Sequence, residues 1–392
     1  MQMTKRASTA RYWNVIGGII LLAAAGAYAQ KPVQWVIGPF TRPEKGNPVI
    51  APKQESTFND PILKTPVRWE ALHTFNPAAI VRQGKVYLLY RAEDSSGSME
   101  IGGHTSRLGL AVSKDGIHFE RMPAPVFYPA EDDQKAREWP GGVEDPRIVE
   151  SEDGTYVLTY TQWNRETYSV GIATSTDLQH WTKHGPAFLK AANGKYASLK
   201  YKSAGIVTRL NDKGRLIAAK IDGRYWMYWG EGSIRLAASH DLIHWDPVED
   251  MHGKPVELLE PRPGHFDSTF PETGPPPVLT SAGIVMLYNG KNAAGSAGDP
   301  ALGPGAYAAG EALFEGINPA HLLTQTGLPV FKPELPYEKT GQYAAGTTFA
   351  EGLVYFHRRW FLYYGCADSL VAVATAHQAQ IVGDSFRMPP AE

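Results

Sequence analysis

A three-part pattern that recurs along the chain limits its fold more than any other feature of the sequence. Each copy has a strand-like segment rich in tyrosine, then a segment of small and apolar residues, then an aspartate turn with an aromatic residue four positions on. The copies are spaced by roughly sixty residues, and repeated short strands of this kind predict a β-propeller or a stacked β array. The clear copies begin at 87–90, 156–160 and 225–228, continue at 108–113, 170–175 and 234–239, and end at Asp115–Phe119, Asp177–Trp181 and Asp241–Trp245.

Two weaker copies follow, at 277–312 and 349–374. Helical periodicity is poor across the body of the chain, so the fold class is predicted to be all-β, with five repeat units and an extended N-terminal arm. The first strands of propeller blades line a central channel, and polar residues on those strands are where chemistry is expected. The aspartate–aromatic turns recur without a change of chemistry, so we expect them to be structural.

The N-terminal segment has the features of an export signal. Positive charge at Lys5, Arg6 and Arg11 precedes an apolar run at 15–25, and small residues follow it. The run is too short to cross a bilayer, so residues 1–29 are predicted to be a secretory signal peptide, with an uncleaved anchor as the alternative. The predicted location is a bacterial periplasm or the cell surface, or the protein is secreted.

The rest of the chain divides into a proline-rich extended arm at 30–70 and a catalytic β-propeller domain at 71–392. Cys366 is the only cysteine, so no internal disulfide can form. The formal net charge is -2 and no basic block is present, so we expect neither a nucleic-acid partner nor, after signal cleavage, a membrane partner.

The segment Gly142–Ile148 combines the adjacent carboxylates of Glu144 and Asp145 with the guanidinium of Arg147. Pro146 cannot donate to a sheet ladder and is expected to hold Asp145 in extended backbone. Three charged groups at one strand mouth are costly to desolvate unless a partner fills the space between them. The segment therefore predicts a functional site, and a surface turn with a local Asp–Arg pair is the alternative.

Polar and aromatic residues at other strand ends extend this site into a carboxylate-rich funnel. Sugars need such a mixture, because hydroxyls take charge-assisted hydrogen bonds and aromatic faces take the apolar side of a ring. Two carboxylates that flank a glycosidic bond can supply acid and base catalysis. The structural alternatives are an Arg91–Asp94 ion pair, a turn cap for Glu231 and loop surface for Glu272. The candidate catalytic residues are Asp145, Glu231 and Glu272, and the candidate substrate-binding residues are Asn76, Arg91, Glu93, Asp94, Arg107, Glu144, Arg147, Trp163, Asn164, Lys202, Lys220, Tyr288, Asn289 and Asp368.

No cofactor is predicted from the sequence. The twelve histidines show no metal-ligand spacing, and the aspartate turns do not make a calcium loop. The chain also has no phosphate-cradling glycine loop and no nucleophile elbow. We therefore expect neither a metal ion nor an organic cofactor.

Five motifs, in order along residues 70 to 375, together resemble glycoside hydrolase family 130. This resemblance implies a five-bladed β-propeller that acts on β-mannosides. Most members of the family are cytoplasmic phosphorylases, and a smaller group consists of exported β-1,2-mannosidases that use water. The motifs are Asn-Pro-Ala-Ala at 76–79, Tyr-Arg-Ala-Glu-Asp at 90–94, Gly-Val-Glu-Asp-Pro-Arg-Ile at 142–148, Gly-Pro-Pro-Pro at 274–277 and Tyr-Gly-Cys-Ala-Asp at 364–368.

The resemblance also implies roles for single residues. Asp145 resembles the family's general acid, which acts through the 3-hydroxyl of the mannosyl residue rather than directly on the leaving oxygen. Asn76, Arg91 and Asp368 resemble residues that hold the non-reducing-end mannose. Arg147 is expected to orient the neighbouring carboxylates.

The chain departs from the phosphorylase pattern where phosphate would bind. Met227–Glu231 replaces a stretch that carries histidine and arginine in phosphorylases, and Tyr288–Gly290 reads Tyr-Asn-Gly instead of Tyr-His-Gly. Carboxylates in place of cations repel a phosphate dianion and can polarise water. Glu231 and Glu272 resemble the pair that replaces the phosphate site in the exported hydrolases, and their order of importance stays open.

The sequence therefore predicts an exported, inverting exo-β-mannosidase that releases mannose from β-1,2-linked mannosides. The alternatives are a β-mannoside phosphorylase that forms mannose 1-phosphate with help from Lys202, Lys220 and Arg165, a glycan-binding propeller without catalysis, and a propeller that acts on arabinosides. Trp163 and Trp229, together with Tyr288 from the candidates above, are possible stacking platforms. The partner is a β-mannoside oligosaccharide, and the oligomeric state stays open.

Overall fold

The computed structural model describes residues 35–377, and this part of the chain is built mainly from β-strands. The predicted mainly-β class is confirmed. The predicted signal peptide lies outside the described residues. Within them, no helix is long and apolar enough to span a bilayer.

The predicted arm runs along the last strand within residues 35–377. Thr41 and Ile50 form isolated antiparallel bridges with Thr375 and Val371. The arm therefore adds backbone hydrogen bonds to an outer sheet edge that would otherwise be unpaired. Two short strands, β1 (Phe58–Asn59) and β2 (Pro66–Val67), form a small hairpin at the end of the arm.

Two antiparallel sheets follow, each a meander in which successive strands pair. A short helix, α1 (Lys135–Glu138), lies between them. The first sheet is β3 (His73–Arg82), β4 (Lys85–Glu93), β5 (Ser106–Ser113) and β6 (Glu120–Arg121), and the second is β7 (Gly142–Glu150), β8 (Tyr156–Trp163), β9 (Tyr168–Ser175) and β10 (Thr182–Pro186).

The third sheet is more irregular and follows a 3-10 turn at Ala191–Gly194. Its main path runs β11-β15-β16-β17, with β14 and β18 at its edges. The hairpin of β12 and β13 pairs in parallel with the second and fourth sheets. The strands are β11 (Ala204–Ile206), β12 (Thr208–Leu210), β13 (Leu216–Ala218), β14 (Lys220–Ile221), β15 (Arg224–Trp229), β16 (Ile234–Ser239), β17 (Asp246–Pro247) and β18 (Glu257–Leu259).

The fourth and fifth sheets complete the described chain. Short 3-10 turns at Gly295–Ala297 and Pro336–Glu338 lie in their loops. The fourth sheet is β19 (Phe270–Thr273), β20 (Val278–Thr280), β21 (Gly283–Lys291), β22 (Tyr307–Phe314) and β23 (Leu322–Gln325), and the fifth is β24 (Thr348–Phe356), β25 (Arg359–Cys366) and β26 (Leu370–Ala376).

The hydrophobic core lies between neighbouring sheets, in five clusters. Four clusters fill the spaces between the first and second, second and third, third and fourth, and fourth and fifth sheets. The remaining cluster joins the fifth sheet back to the first, where Val354 and Val373 pack with Leu88 and Tyr90. The packing order of the sheets is therefore cyclic.

The recurrent aspartate turns make the same contacts in three sheets. In each turn the aspartate Oδ1 accepts two backbone N–H bonds, and Oδ2 lies 2.7 Å from the ring of a histidine three residues on. These contacts satisfy the turn backbone at the outer edge of each sheet. They have the structural role that we expect from their sequence pattern.

Candidate active site

Two polar side chains of the site are on β-bulges of the strands β3 and β7. The strand register shifts around Asn76 in β3 and around Asp145 in β7. Their φ angles are 43° and 47°, in a left-handed region that Asn and Asp tolerate better than most residues. The expectation that Pro146 holds Asp145 in extended backbone is wrong, because the bulge re-aims this residue. Asn76 Nδ2 then donates to Asp145 Oδ1 at 2.8 Å.

The guanidinium of Arg91 connects three buried carboxylates. Its Nη1 lies 3.1 Å from Asp145 Oδ1, and its Nη2 lies 2.7 Å from Glu144 Oε1 and 2.6 Å from Glu93 Oε1. Nε donates to Ser106 Oγ at 3.0 Å. One cation against three carboxylates leaves an anionic cluster. The bonds from Asn76 and Arg91 both end on Oδ1 of Asp145, so Oδ2 has no hydrogen-bond partner among residues 35–377.

Arg147 ties the segment of Asp145 to the strand that carries Glu272. Its Nη1 donates to the Asp145 carbonyl at 3.0 Å, and its Nη2 and Nε donate to the carbonyls of Thr273 and Gly274 at 2.8 and 3.1 Å. Glu351, at a bulge in β24, places Oε1 at 3.1 Å from Nη1, and burial raises the pKa of its carboxyl well above the usual range. The spacing between Asp145 and Glu272 therefore depends on one rigid guanidinium.

The other wall of the site pairs two glutamates with one lysine. Glu231 and Glu272 form an isolated antiparallel bridge between the third and fourth sheets. Lys202 Nζ lies 3.3 Å from Glu231 Oε1 and 3.7 Å from Glu272 Oε1. Ser203 Oγ donates to Glu272 Oε1 at 2.5 Å. This wall is also anionic, because the single ammonium is shared by both carboxylates.

The two walls enclose a cleft of about 340 Å³, a size that suits one or two sugar rings. A second cavity of about 750 Å³ shares Tyr168, Lys202 and Glu231 with the cleft, so the two spaces are adjacent. The residues that line the cleft are Phe75, Asn76, Arg91, Ile101, Gly102, Glu144, Asp145, Thr161, Trp163, Tyr168, Lys202, Glu231, Glu272, Lys291, Tyr307, Tyr343, Phe349 and Asp368.

Burial and charge separate the carboxyl groups of the cleft by pKa. Burial raises the pKa of Glu144, Glu272 and Asp368 to about 7 in each case, despite the attraction of Arg91 or Lys202. Burial also acts to raise the pKa of Asp145, but Arg91 and Lys202 outweigh it and hold that pKa below its usual range. In the empty cleft near neutral pH, Asp145 is therefore ionised while the other three carboxyls are partly protonated.

Most of the candidate residues lie at this cleft. Asp145, Glu231 and Glu272 line it, as do Asn76, Arg91, Glu144, Trp163, Lys202 and Asp368. Glu93 and Arg147 lie directly behind the lining and hold it in place. The alternatives of a surface turn at 142–148 and loop surface at Glu272 do not fit, since Asp145 and Glu272 are buried.

Two of the candidates, Arg107 and Asp94, belong to a buried cluster of ion pairs outside the cleft lining. Arg107 Nη1 and Nη2 bind Asp94 Oδ2 at 2.5 Å and Asp60 Oδ2 at 2.6 Å. Asp60 also accepts two backbone N–H bonds of its own loop. Arg107 and Asp94 thus attach the hairpin of β1 and β2 to the first sheet, and we no longer count them as substrate contacts.

Four other candidates also lie away from the lining. Asn164 closes a turn by accepting two backbone N–H bonds, and Lys220 is exposed, 4.9 Å from the ring of Tyr225. Asn289 clamps the backbone of β24 rather than a ligand. The hydroxyl of Tyr288 is buried against Asp267 and Arg262. The possible stacking platform Trp229 is buried and makes edge-to-face contacts with Phe188 and Tyr201.

One feature of the cleft is absent from the sequence-based candidates. Lys291 Nζ lies 5.3, 5.4 and 5.6 Å from the ring centres of Phe270, Tyr307 and Tyr343, in an aromatic cage. Each ring comes from a different segment, so no local pattern could have identified the cage. A weak signal was the position of Lys291 at the end of a strand that also carries Asn289.

Comparisons with known proteins show which family the chain resembles. A model of glycoside hydrolase family 130, described as beta-1,4-mannooligosaccharide phosphorylase, matches residues 41–384. A 1,2-beta-oligomannan phosphorylase of Thermoanaerobacter sp. (strain X514) is 31% identical over 338 residues, which are 85% of this chain and 96% of the relative.

Solved structures give nearer matches. A structure from work on family 130 glycoside hydrolases that target β-1,2-mannosidic linkages in Candida mannan is 50% identical, with a TM-score of 0.87 over 90% of this chain and 97% of that one. A glycosyl hydrolase from Bacteroides ovatus is 49% identical, also with a TM-score of 0.87 and the same shares of both chains.

Proposed function

Because the chain belongs to glycoside hydrolase family 130, we propose that it is an exo-acting, inverting hydrolase that releases mannose from the non-reducing end of β-1,2-linked mannosides. The solved structure linked to β-1,2-mannosidic linkages, at 50% identity, supports this choice of substrate. The sugar would occupy the cleft between the Arg91 cluster and the glutamate pair.

The proposed architecture is a five-bladed β-propeller. Its support is the cyclic order of the five hydrophobic clusters, with the fifth sheet packed against the first. Gly352 supports this closure, because a Cβ at its position would lie 2.8 Å from the Pro77 carbonyl oxygen of β3. In this arrangement β3, β7 and β24 are innermost strands, and their bulges carry Asn76, Asp145 and Glu351 to the central channel.

The position of Lys202 between two glutamates is the observation that favours water over phosphate as the acceptor. A phosphate dianion at this wall would face the carboxylates of Glu231 and Glu272, and their single cation is already shared. Like charges at close range in a poorly solvated cleft repel strongly. A neutral water molecule meets no such penalty, and a carboxylate oxygen can accept its proton.

The proposed reaction begins with the mannosyl ring held by Asn76, Arg91 and Asp368. Water attacks the anomeric carbon from the side of Glu231 and Glu272, and one of these carboxylates takes the water proton. The bond to the leaving oxygen breaks, and that oxygen takes a proton from the sugar 3-hydroxyl, which regains one from Asp145. Attack opposite the leaving group inverts the anomeric configuration. Arg147 keeps the two walls at a fixed separation.

The protonation states of Asp145 and Glu272 determine how much of the enzyme is in the reactive form. The reactive form needs a proton on Asp145 and none on the base, whereas the pKa of Asp145 is lowered and that of Glu272 is raised to about 7. In the dominant form the proton is on Glu272, and in the reactive form the same proton is on Asp145. The two forms therefore carry the same number of protons. The reactive form is a minor species that persists at constant population between the two pKa values.

Two glutamate variants and one lysine control test the role of the glutamate wall. In phosphate-free buffer, Glu231→Gln and Glu272→Gln should each lower kcat for β-1,2-mannobiose, at least one of them by about 100-fold or more, since a positioned base contributes on that scale. Lys220→Gln, at an exposed position outside the cleft, is the control and should retain activity. Full activity in both glutamate variants would remove the proposed base.

A β-mannoside phosphorylase is the second candidate, favoured by the 1,2-beta-oligomannan phosphorylase relative and by two lysines in the cleft, Lys202 and Lys291. Turnover that requires inorganic phosphate would identify it. A glycan-binding propeller would instead bind mannosides without turnover, and an arabinoside-acting enzyme would release arabinose in a substrate screen.

We also propose that the protein is exported, on the strength of the signal-like residues 1–29. Export suits a hydrolase, because the sugar phosphate that phosphorolysis conserves is useful only inside a cell. Fractionation of the native host with an antibody against the protein tests this proposal. Recovery of the full-length chain from the cytoplasm alone would contradict it.

A further inference from the structure

Three metal-binding side chains meet beside the Arg91 cluster. One ligand atom from each of His73, Glu93 and His104 lies within 4.8 Å of those of the other two. His73 and Glu93 are directly opposite each other on β3 and β4, and His104 lies near the end of the loop 94–105. The three residues are far apart along the chain, which explains why spacing in the sequence gave no sign of them.

Both histidines can act as neutral ligands. His104 is almost fully buried, and its Nδ1 lies 3.3 Å from the Ser96 carbonyl oxygen. A carbonyl only accepts, so Nδ1 carries the proton and Nε2 carries the lone pair. His73 Nδ1 likewise lies 3.0 Å from Ser369 Oγ, so its Nε2 is the nitrogen left for a metal ion. Hydrogen bonds from the far side of a ring are typical supports of metal-binding histidines.

The third ligand and the surrounding charge also suit a cation. Glu93 Oε1 binds Arg91, and its Oε2 accepts from Gln342 Nε2 at 3.2 Å, which leaves lone pairs on the carboxylate. Arg91 itself is outnumbered by the carboxylates of Glu93, Glu144 and Asp145. An added divalent ion therefore enters a region whose net charge is negative.

The ligand types select among metals. Two imidazoles and one carboxylate suit zinc and related transition metals, whereas calcium and magnesium prefer oxygen ligands alone. Zinc ligands lie about 2.0–2.2 Å from the ion, so the three side chains would have to draw together slightly on binding. With three protein ligands, the fourth position is left for water.

We propose that His73, Glu93 and His104 form a binding site for a zinc-like divalent transition metal that fastens the loop 94–105 to the first sheet. Ile101 and Gly102 of this loop line the cleft, and Gly102 accepts a bond from Trp163 Nε1 at 2.9 Å. The metal thus fixes one wall of the cleft without touching the glutamate pair. The proposal does not depend on whether the acceptor in the reaction is water or phosphate.

Metal titration of the tag-free protein tests the site. After dialysis against EDTA and removal of the chelator, calorimetry with ZnCl₂ should show one equivalent bound per chain, with a rise in Tm. Co²⁺ should give the visible absorption of a low-coordinate nitrogen and oxygen site. Mg²⁺ should have no effect on Tm at the same concentration.

Histidine variants test whether the zinc binds at the proposed site. His104→Ala and His73→Ala, each checked for native circular dichroism, should lose the stoichiometric zinc and the cobalt spectrum. His118→Ala, an exposed histidine in an aspartate turn, should keep both. Absence of saturable zinc binding in the wild type would overturn the proposal. So would equal stoichiometry in wild type and in both folded variants, because the ion would then be bound elsewhere.

Discussion

Lys202 is the residue that links the protonation of the two walls of the cleft. It lowers the pKa of Glu272, and it also helps to hold the pKa of Asp145 below its usual range. Burial acts in the opposite direction and is the larger effect, so the pKa of Glu272 is still raised to about 7. The charge of one side chain thus acts on both the proposed acid and one proposed base.

The pH dependence of activity follows from the pKa shifts of Asp145 and Glu272. The reactive form holds one proton in the Asp145–Glu272 pair, and raising the pH through about 7 removes that proton. We predict that kcat/KM falls above about pH 7 with a slope of one proton. Lys202→Gln removes a cation that lowers both pKa values, so the falling limb should move to higher pH. Initial rates from pH 4 to 9 measure both effects.

Lys220→Gln is the control for this shift, because Lys220 is exposed and outside the cleft. Its profile should coincide with that of the wild type. A Lys202→Gln limb that stays in place or moves to lower pH would show that Lys202 does not set the protonation of the pair.

Arg147 carries the second prediction at this scale. It reaches three backbone carbonyls at once, on both walls of the cleft, and a lysine ammonium cannot reproduce that fork. Arg147→Lys should lower kcat by about 100-fold through misplacement of the reacting groups, with a much smaller change in KM. Steady-state kinetics on β-1,2-mannobiose measure the split.

Arg209→Lys is the matched control, since Arg209 makes a surface ion pair with Glu152 at 3.1 Å. It should leave both kinetic parameters unchanged. A rise in KM alone in Arg147→Lys would mean that Arg147 serves substrate binding instead of spacing.

At the scale of elements, the inner-strand bulges determine which side chains reach the cleft. Residues on a regular strand alternate between faces, so a register shift changes which residue faces the cleft. The motifs around Asn76 and Asp145 could be read from the sequence, but their bulges could not. The extended backbone predicted for Asp145 failed for this reason, because a local proline rule does not include the register of the paired strand.

Close packing of β24 on β3 gives a prediction about stability. A Cβ at Gly352 would lie 2.8 Å from the Pro77 carbonyl oxygen and 2.9 Å from the Ala79 Cβ. Gly352→Ala should therefore destabilise the protein by about 1–3 kcal/mol, as overpacking usually does. Urea denaturation measures the free energy of unfolding.

Gly327→Ala is the control, because a Cβ there meets no atom within 4 Å and the backbone does not have positive φ. Its free energy of unfolding should stay within about 0.5 kcal/mol of the wild type. Equal stability of the two variants would contradict the close packing of the fifth sheet on the first.

At the scale of the whole molecule, the repeat in the sequence led to the mainly-β fold, and strand-end motifs led to most of the cleft. Arg107 and Asp94 could not be placed from the sequence, since their partner Asp60 comes from the arm. Tyr288 was misleading because its hydroxyl turns into the core between sheets. Lys291 was missed because its cage assembles from distant segments.

The ion pair that attaches the arm to Glu338 gives a last stability prediction. Arg42 Nε lies 2.6 Å from Oε1 of Glu338, a carboxylate with no exposed surface. Arg42→Ala leaves that charge buried with only neutral donors, and should cost about 3 kcal/mol or more of unfolding free energy. Arg42→Ala combined with Glu338→Gln should recover part of the loss in urea denaturation. No recovery would mean that the contact stabilises by packing alone.

Product analysis on β-1,2-mannobiose, with and without inorganic phosphate, tests the proposed reaction most directly. Proton NMR of the fresh products identifies both the released sugar and its anomeric configuration. The shared position of Lys202 between Glu231 and Glu272 predicts free α-mannose, formed at a rate that does not depend on phosphate. Mannose 1-phosphate formed only in the presence of phosphate would contradict the assignment of water as the acceptor.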